Sequence, residues 1–118
     1  MLKSTKWLTN FLMLAVLVCL PKVTAAMPTT TLLITDTNNY SVIEVDPITH
    51  NVIWQYGGVP GTGTNQLNSP VEAAKLKNGN VLIADTSNCR VIEVQPTGTS
   101  GGTIVWQYGQ TGAIGSGP

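Results

Sequence analysis

Short runs of alternating apolar and polar residues, separated by turn-forming residues, dominate the chain from about residue 30 onward. Alternation with a period of two is the pattern of a strand whose two faces meet different surroundings. In the second half of the chain it predicts four strands, near Val71–Leu76, Val81–Ala84, Arg90–Val94 and Thr103–Tyr108. Asn78-Gly79 predicts a tight turn between the first two, because both residue types tolerate positive φ. This half of the chain therefore predicts a four-stranded β-meander.

The same pattern occurs twice. The segment Leu33–Val45 recurs as Leu82–Val94 at an offset of 49 residues. Ile53–Gly57 recurs as Val105–Gly109 at an offset of 52, because three residues are inserted in the run Thr97–Gly102. A period of about 50 residues with four short strands matches one blade of a β-propeller better than one coil of a solenoid.

Alternation also assigns the apolar residues of each repeat to faces. Two sets of three should each share one side of the outer strand: Val52, Trp54 and Tyr56 in the first copy, and Ile104, Trp106 and Tyr108 in the second. Ile43 with Val45, and Ile92 with Val94, should do the same in the preceding strand. We interpret these as packing residues and expect both tryptophans to lie in a core between repeats.

The first 26 residues have the order of a secretory signal peptide. Lys3 and Lys6 precede an apolar run, Trp7–Leu20, and small residues, Thr24–Ala26, follow Pro21. The run is shorter than the roughly 20 residues that span a bilayer, which favours cleavage after Ala25 or Ala26 over an uncleaved anchor. The mature protein is then secreted, periplasmic or extracellular, with no membrane span after cleavage.

The two cysteines, Cys19 and Cys89, are separated by this cleavage, so no disulfide forms within the mature chain. Cys19 could instead be the site of a bacterial lipoprotein, but Val18 stands where such sites resemble a pattern with Gly, Ala or Ser. The mature part keeps three basic and six acidic residues. Because it has no basic stripe, nucleic acid and anionic membranes are not expected as partners.

Three motifs of the second copy resemble the NHL-type repeat of six-bladed β-propellers: Leu67-Asn68-Ser69-Pro70, the run Asn78–Asp85 and the run Asn88–Val94. The first copy departs from that pattern at Ser41, where the family has Arg, and lacks an innermost strand before Leu33. The Trp-Gln-Tyr-Gly ending also looks like the outer strand of quinoprotein-like and arylsulfotransferase-like propellers. The quinoprotein docking run is absent, so no cofactor is expected.

The resemblance implies an all-β fold of propeller blades, each a four-stranded antiparallel meander, with about one complete and one partial blade after the signal peptide. The expected division is a signal peptide at 1–26, a partial blade at 27–57, an inter-blade loop at 58–69, a complete blade at 70–109 and the start of another connection at 110–118. We expect the chain to be a fragment of a propeller, completed by further blades or by self-association.

Asp36 and Asp85 are the first candidates for chemistry, because propellers of the lactonase type hold a divalent cation with carboxylates at the channel mouth. Their recurrence at the same place in each copy favours a structural role. We expect each to accept backbone N–H groups of the turn that follows it.

The remaining polar residues also favour structural roles. Glu44 and Glu93 should pair at the surface rather than act as general acids, and Arg90 could pair with an acid across strands. His50, the single histidine, lies in a turn sequence, and Cys89 takes a tolerant packing or turn position. The glycine-rich connections lack the residues of a phosphate-binding loop.

No catalytic, cofactor-binding or metal-binding residue is therefore assigned. The sequence favours an exported repeat segment that acts as a binding scaffold for an unknown protein, glycan or small molecule. The alternative is the N-terminal part of a propeller enzyme, a lactonase-like or arylsulfotransferase-like hydrolase or transferase, whose site would draw residues from several blades.

Overall fold

A computed structural model of the chain describes residues 30–113. The predicted signal peptide, its cleavage site and Cys19 lie outside the described residues, as do residues 114–118.

The described chain is all-β. Its strands are β1 (Leu32–Asp36), β2 (Ser41–Val45), β3 (Val52–Gly57), β4 (Pro70–Lys75), β5 (Val81–Asp85), β6 (Arg90–Pro96) and β7 (Gly102–Tyr108), with a short 3-10 helix at Thr86–Asn88. They form two antiparallel sheets, β1-β2-β3 and β4-β5-β6-β7, which we call the first and the second unit. The four strands predicted in the second half are confirmed within two residues at each end. No helix in residues 30–113 is long and apolar enough to cross a bilayer.

The two units repeat each other in register as well as in sequence. Glu44 pairs with Trp54 in the first unit, and Glu93 pairs with Trp106 in the second. In both, a bulge follows directly after the glutamate. The bulge adds a residue to the outer strand and interrupts its alternation. The first residue of that strand therefore lies on the sheet face opposite the tryptophan. Val52 is accordingly exposed, and its predicted place beside Trp54 and Tyr56 is wrong.

Glycine closes both outer strands for a steric reason. Gly57 and Gly109 have φ of +86° and +90°, and a Cβ at either would collide with the carbonyl oxygen of Tyr40 or Cys89. Tyr40 and Cys89 themselves have φ of 54° and 56°, in the turns directly before β2 and β6, the second-to-last strand of each unit. This explains why the Trp-Gln-Tyr sequence ends on Gly in both copies.

The predicted hairpin turn at Asn78-Gly79 is present, with one difference. Gly79 has φ of +87°, whereas Asn78 keeps negative φ and accepts a hydrogen bond from the Asn80 N–H through its side chain (3.0 Å). The turn therefore depends on its glycine for conformation and on Asn78 for a hydrogen bond.

The core lies between the two units. The inner face of the first unit carries Val42, Trp54 and Tyr56. In either unit, we call the sheet face that carries the tryptophan the tryptophan face. That of the first unit packs on a face of the second unit that carries Ile83, Ile92 and Val94, which we call the aliphatic face. Val81 and Leu67 complete the same buried cluster. Each sheet thus buries one face against its neighbour, as sheets packed face to face do.

Main-chain contacts at the outer edge reinforce this packing. Gln55 in β3 accepts a hydrogen bond from the Gly101 N–H (2.7 Å) and donates one to the carbonyl of Thr99 (3.2 Å). The indole N–H of Trp54 donates to the carbonyl of Gly101 (2.8 Å). The β6–β7 loop of the second unit therefore reaches over the outer strand of the first.

Sequence equivalence does not give the two tryptophans the same surroundings. Trp54 is 3% exposed, whereas Trp106, on the tryptophan face of the second unit, is 49% exposed. The expectation that both lie in a core is confirmed for Trp54 and wrong for Trp106 within the described part of the chain. Burial at this position requires an adjoining aliphatic face, which residues 30–113 supply only to Trp54.

This difference predicts unequal costs of truncation. Trp54→Ala should lower the free energy of unfolding by about 3 to 5 kcal/mol, because it empties a buried aromatic site and removes the hydrogen bond to Gly101. Trp106→Ala should cost about 1 kcal/mol or less in dilute protein, where its face is exposed. Urea unfolding of both variants measures the difference. Equal costs would contradict the burial described.

Candidate functional site

Asp85 and Arg90 form a buried ion pair at the turn between β5 and β6. The two residues are direct cross-strand partners, and the Arg90 Nε lies 2.7 Å from the Asp85 Oδ2. Both side chains are almost fully buried. The predicted cross-strand pairing of Arg90 is confirmed, but the pair lies inside the molecule.

The ion pair holds the segment that connects the two units, residues 58–69. The Arg90 guanidinium donates to the carbonyls of Thr62 and Gln66 (3.2 Å each). Asn88 donates from its side-chain amide to the Gly61 carbonyl (2.7 Å) and to Asp85 (2.8 Å). These bonds satisfy the charged groups away from water, which a buried ion pair requires.

Asp85 also accepts a backbone N–H, though from a different segment than expected. The donor is Asn68 (2.7 Å), at the end of the connecting segment, and no residue of the following turn donates to this carboxylate through its main chain. Asp85 therefore anchors the connection between units through the main chain and bonds its own turn only through the Asn88 side chain. Asp36 in the first unit behaves as predicted, accepting the N–H (3.3 Å) and the side-chain amide (2.7 Å) of Asn39 in the turn that follows it.

Tyr56 links the core to the same connecting segment. Its hydroxyl accepts a hydrogen bond from the Asn65 N–H (3.3 Å). Burial raises the pKa of this phenol above its ordinary value, so the tyrosine stays neutral and its ring remains part of the core.

Glu44 lies in the contact between the units, not on an open surface. It pairs with Lys75 of the second unit (2.7 Å) and accepts a hydrogen bond from the Thr31 hydroxyl. Burial raises the pKa of Glu44, but the hydrogen bonds from Lys75 and Thr31 and the lysine charge together hold it below its ordinary value. The Lys75 ammonium also lies 6.0 Å from the centre of the Trp54 ring.

Glu93, the equivalent of Glu44, has local partners in the described part of the chain. The side-chain amides of Asn80 (2.6 Å) and Asn78 (3.1 Å) donate to it, and these bonds lower the pKa of its carboxyl. The predicted role of a surface acid holds for Glu93. Its cross-strand neighbours on the same sheet face are Leu82 in β5 and Trp106 in β7.

His50 and Cys89 occupy turn positions, as expected. His50 has φ of 59° and donates its N–H to the carbonyl of Asp46 (2.8 Å). Asp46, which sequence reasoning did not single out, accepts the N–H groups of Ile48 (2.7 Å) and Thr49 (3.1 Å), and these bonds lower its pKa. The Asp-Pro pair at the start of the turn was the available signal. Within residues 30–113, no three His, Cys, Asp or Glu side chains converge as a metal site would require.

The most distinctive open surface of the described chain is the tryptophan face of the second unit. The Trp106 and Tyr108 rings stack at a centroid distance of 6.4 Å and an interplanar angle of 15°. Trp54 and Tyr56 stack in nearly the same way in the core, at 6.3 Å and 27°. Exposed aromatic pairs on a regular sheet are typical of binding surfaces, so this face is the candidate functional site.

Comparison with known proteins supplies no relative: no protein-family model matches the chain, and no curated protein matches it.

The buried ion pair predicts that Asp85 contributes more than Asp36 to the free energy of unfolding. Asp85→Ala should lower the free energy of unfolding by about 3 to 5 kcal/mol, because it leaves the Arg90 charge buried without a partner. The matched variant Asp36→Ala should cost about 1 kcal/mol, since it removes hydrogen bonds within an exposed turn. Chemical denaturation of both variants measures the costs. A smaller loss for Asp85→Ala than for Asp36→Ala would refute the anchoring role.

The ionisation of Glu44 predicts a pH dependence. Because its folded pKa lies below the ordinary value of 4.5, its contribution to stability is present above that pH and disappears as the pH falls through the folded pKa. Between pH 7 and about pH 3, the wild type should therefore lose more stability than Glu44→Gln. Lys75→Met, which removes the partner, should also flatten the profile. Urea unfolding across this pH range provides the measurement, and a Glu44→Gln profile parallel to the wild type would show that the pair does not form.

Proposed function

We propose that this protein is an exported interaction module, built from β-propeller-type blades, that binds a macromolecular partner through the tryptophan face of its second unit. The role proposed for it is binding. The proposal rests on one observation. The tryptophan face occurs in both units, and it is buried in the first unit but exposed in the second.

The exposed face has the properties of a protein-binding surface. Trp106 and Tyr108 are held on a regular strand, so little conformational entropy is lost when a partner covers them. Val91 and Tyr108 are paired across strands, as Val42 and Tyr56 are in the core. The face is therefore arranged as a packing surface before any partner arrives, and buried aromatic residues contribute most to binding.

The repeat geometry supports the propeller-type architecture. Both units have the same strand pairing, the same bulge and the same glycine closure, and they stack face to face. Radial stacking of such meanders is the construction of a propeller. The NHL-type motifs agree with this proposal, since Asp85 and Arg90 of those motifs are the residues that fix the connection between units.

The polar residues support a scaffold role. Asp85, Arg90 and Glu44 are all used in contacts that join the units. In residues 30–113, every buried side-chain nitrogen or oxygen has a hydrogen-bond partner. Export is supported by the charged, apolar and small-residue order of residues 1–26.

Site-specific photo-cross-linking tests the proposal. A benzophenone side chain replaces Tyr108 in the full-length gene product, and the chain is recovered from the exported fraction of a secreting host. The expected result is a covalent adduct of higher mass from position 108, on a chain whose N-terminus is Ala26 or Met27. The control places the same group at Val59, an exposed apolar residue of the connecting segment.

Adducts from position 59 alone would move the binding surface to the connecting segment and refute the proposed face. Retention of an intact Met1 in the producing cell would refute export. Adducts from position 108 that form without those from position 59 support the proposal, whatever the identity of the partner.

A further inference from the structure

We propose that the partner of the exposed tryptophan face is the aliphatic face of a second copy of this chain, bound head to tail. This inference rests on the proposed function, because it names the occupant of the same surface. The contact between the two units of one chain shows what this surface accepts.

The exposed face reproduces the buried one position by position. Val91, Trp106 and Tyr108 of the second unit stand where Val42, Trp54 and Tyr56 stand in the first. The strand registers, the bulge and the ring stacking are also the same. A surface with this shape already packs on an aliphatic face within the chain, so an aliphatic face is the partner that it fits.

The first unit offers such a face on its outer side. Ile34, Ile43 and Val45 occupy the positions of Ile83, Ile92 and Val94, the residues that receive Trp54 and Tyr56. The three core residues are fully buried, whereas Ile34 is 43% exposed. Residues 30–113 therefore display one open face of each kind, and further copies bring the missing complement to both.

Contacts at the outer edge extend the match. Within one chain, Gln55 of the first unit bonds the β6–β7 loop of the second at Thr99–Gly101. The equivalent strand residue at the open end is Gln107, and the equivalent loop at the other end is the β2–β3 turn, where Ile48 is exposed. Head-to-tail docking would place that turn beside Gln107 and cover Ile48.

The contact joins two different faces, so it is heterologous. Copies therefore add to one another head to tail until a ring closes. Since propellers close with about 4 to 8 blades, copies that each contribute the two described units would close a ring of about two to four copies.

A complementation experiment with the full chain tests this arrangement. Trp106→Asp disables the tryptophan face, and Ile34→Asp disables the aliphatic face, while each variant keeps the other face intact. The wild type should sediment as a species of two or more copies. Each variant alone should associate at least about 30-fold more weakly, since each removes a central buried apolar residue of the contact. An equimolar mixture of the two should form a one-to-one dimer through the single contact that both faces still allow.

Val59→Asp is the matched control. Val59 is an exposed apolar residue, as Trp106 is, at 56% against 49%, but it lies in the connecting segment outside the strands of both faces. This variant should associate like the wild type. Far-UV circular dichroism of all three variants establishes that they are folded.

Three results would overturn the inference: a wild type that remains monomeric, variants that associate as tightly as the wild type, or a mixture of folded variants that forms no dimer. An adduct between position 108 and a different protein in the cross-linking experiment would also overturn it, while leaving the proposed interaction module intact.

Discussion

The packing of a tryptophan face on an aliphatic face is the contact on which the rest of this structure depends. A three- or four-stranded sheet of short strands has too little internal contact to be stable alone and must bury at least one face. Here Trp54 and Tyr56 supply the aromatic side and Ile83 and Ile92 the aliphatic side. The Glu44–Lys75 pair and the Trp54–Gly101 hydrogen bond then fix the relative position of sheets that apolar packing alone would hold with less precision.

The two copies differ at the turns that follow Asp36 and Asp85, and the difference concerns the connection between the units. In the second unit, Arg90 crosses from β6 to the connecting segment, and its charge is balanced by Asp85. The first unit has Ser41 at the position of Arg90, and the partner of its Asp36 among residues 30–113 is Asn39 of its own turn. The ionic anchor of the second unit is thus tied to residues 58–69, whereas Ser41 cannot form an equivalent ion pair with Asp36 in the first unit.

Local signals allowed most of the fold to be predicted from sequence. The alternation of residues gave the strands of the second unit, the offset of 49 gave the equivalence of the two units, and Asn78-Gly79 gave a turn. The face of Val52 was predicted incorrectly, because a bulge after Glu44 depends on strand pairing that alternation alone does not contain. The backbone partner of Asp85 was also predicted incorrectly, since Asn68 reaches it only when the connecting segment folds back.

The exposure of Trp106 could not be predicted for a deeper reason, which also bears on function. A repeat determines the two faces of each unit, but the environment of a face depends on what stands next to it. Trp54 and Trp106 have the same local sequence and the same register, and yet only Trp54 meets an aliphatic face in the described chain. The residue that stabilises the fold in one copy is thus free to bind in the next. In the arrangement that we propose, the interaction that builds the core and the interaction that recruits a partner are the same contact, made within the chain in the first unit and between molecules in the second.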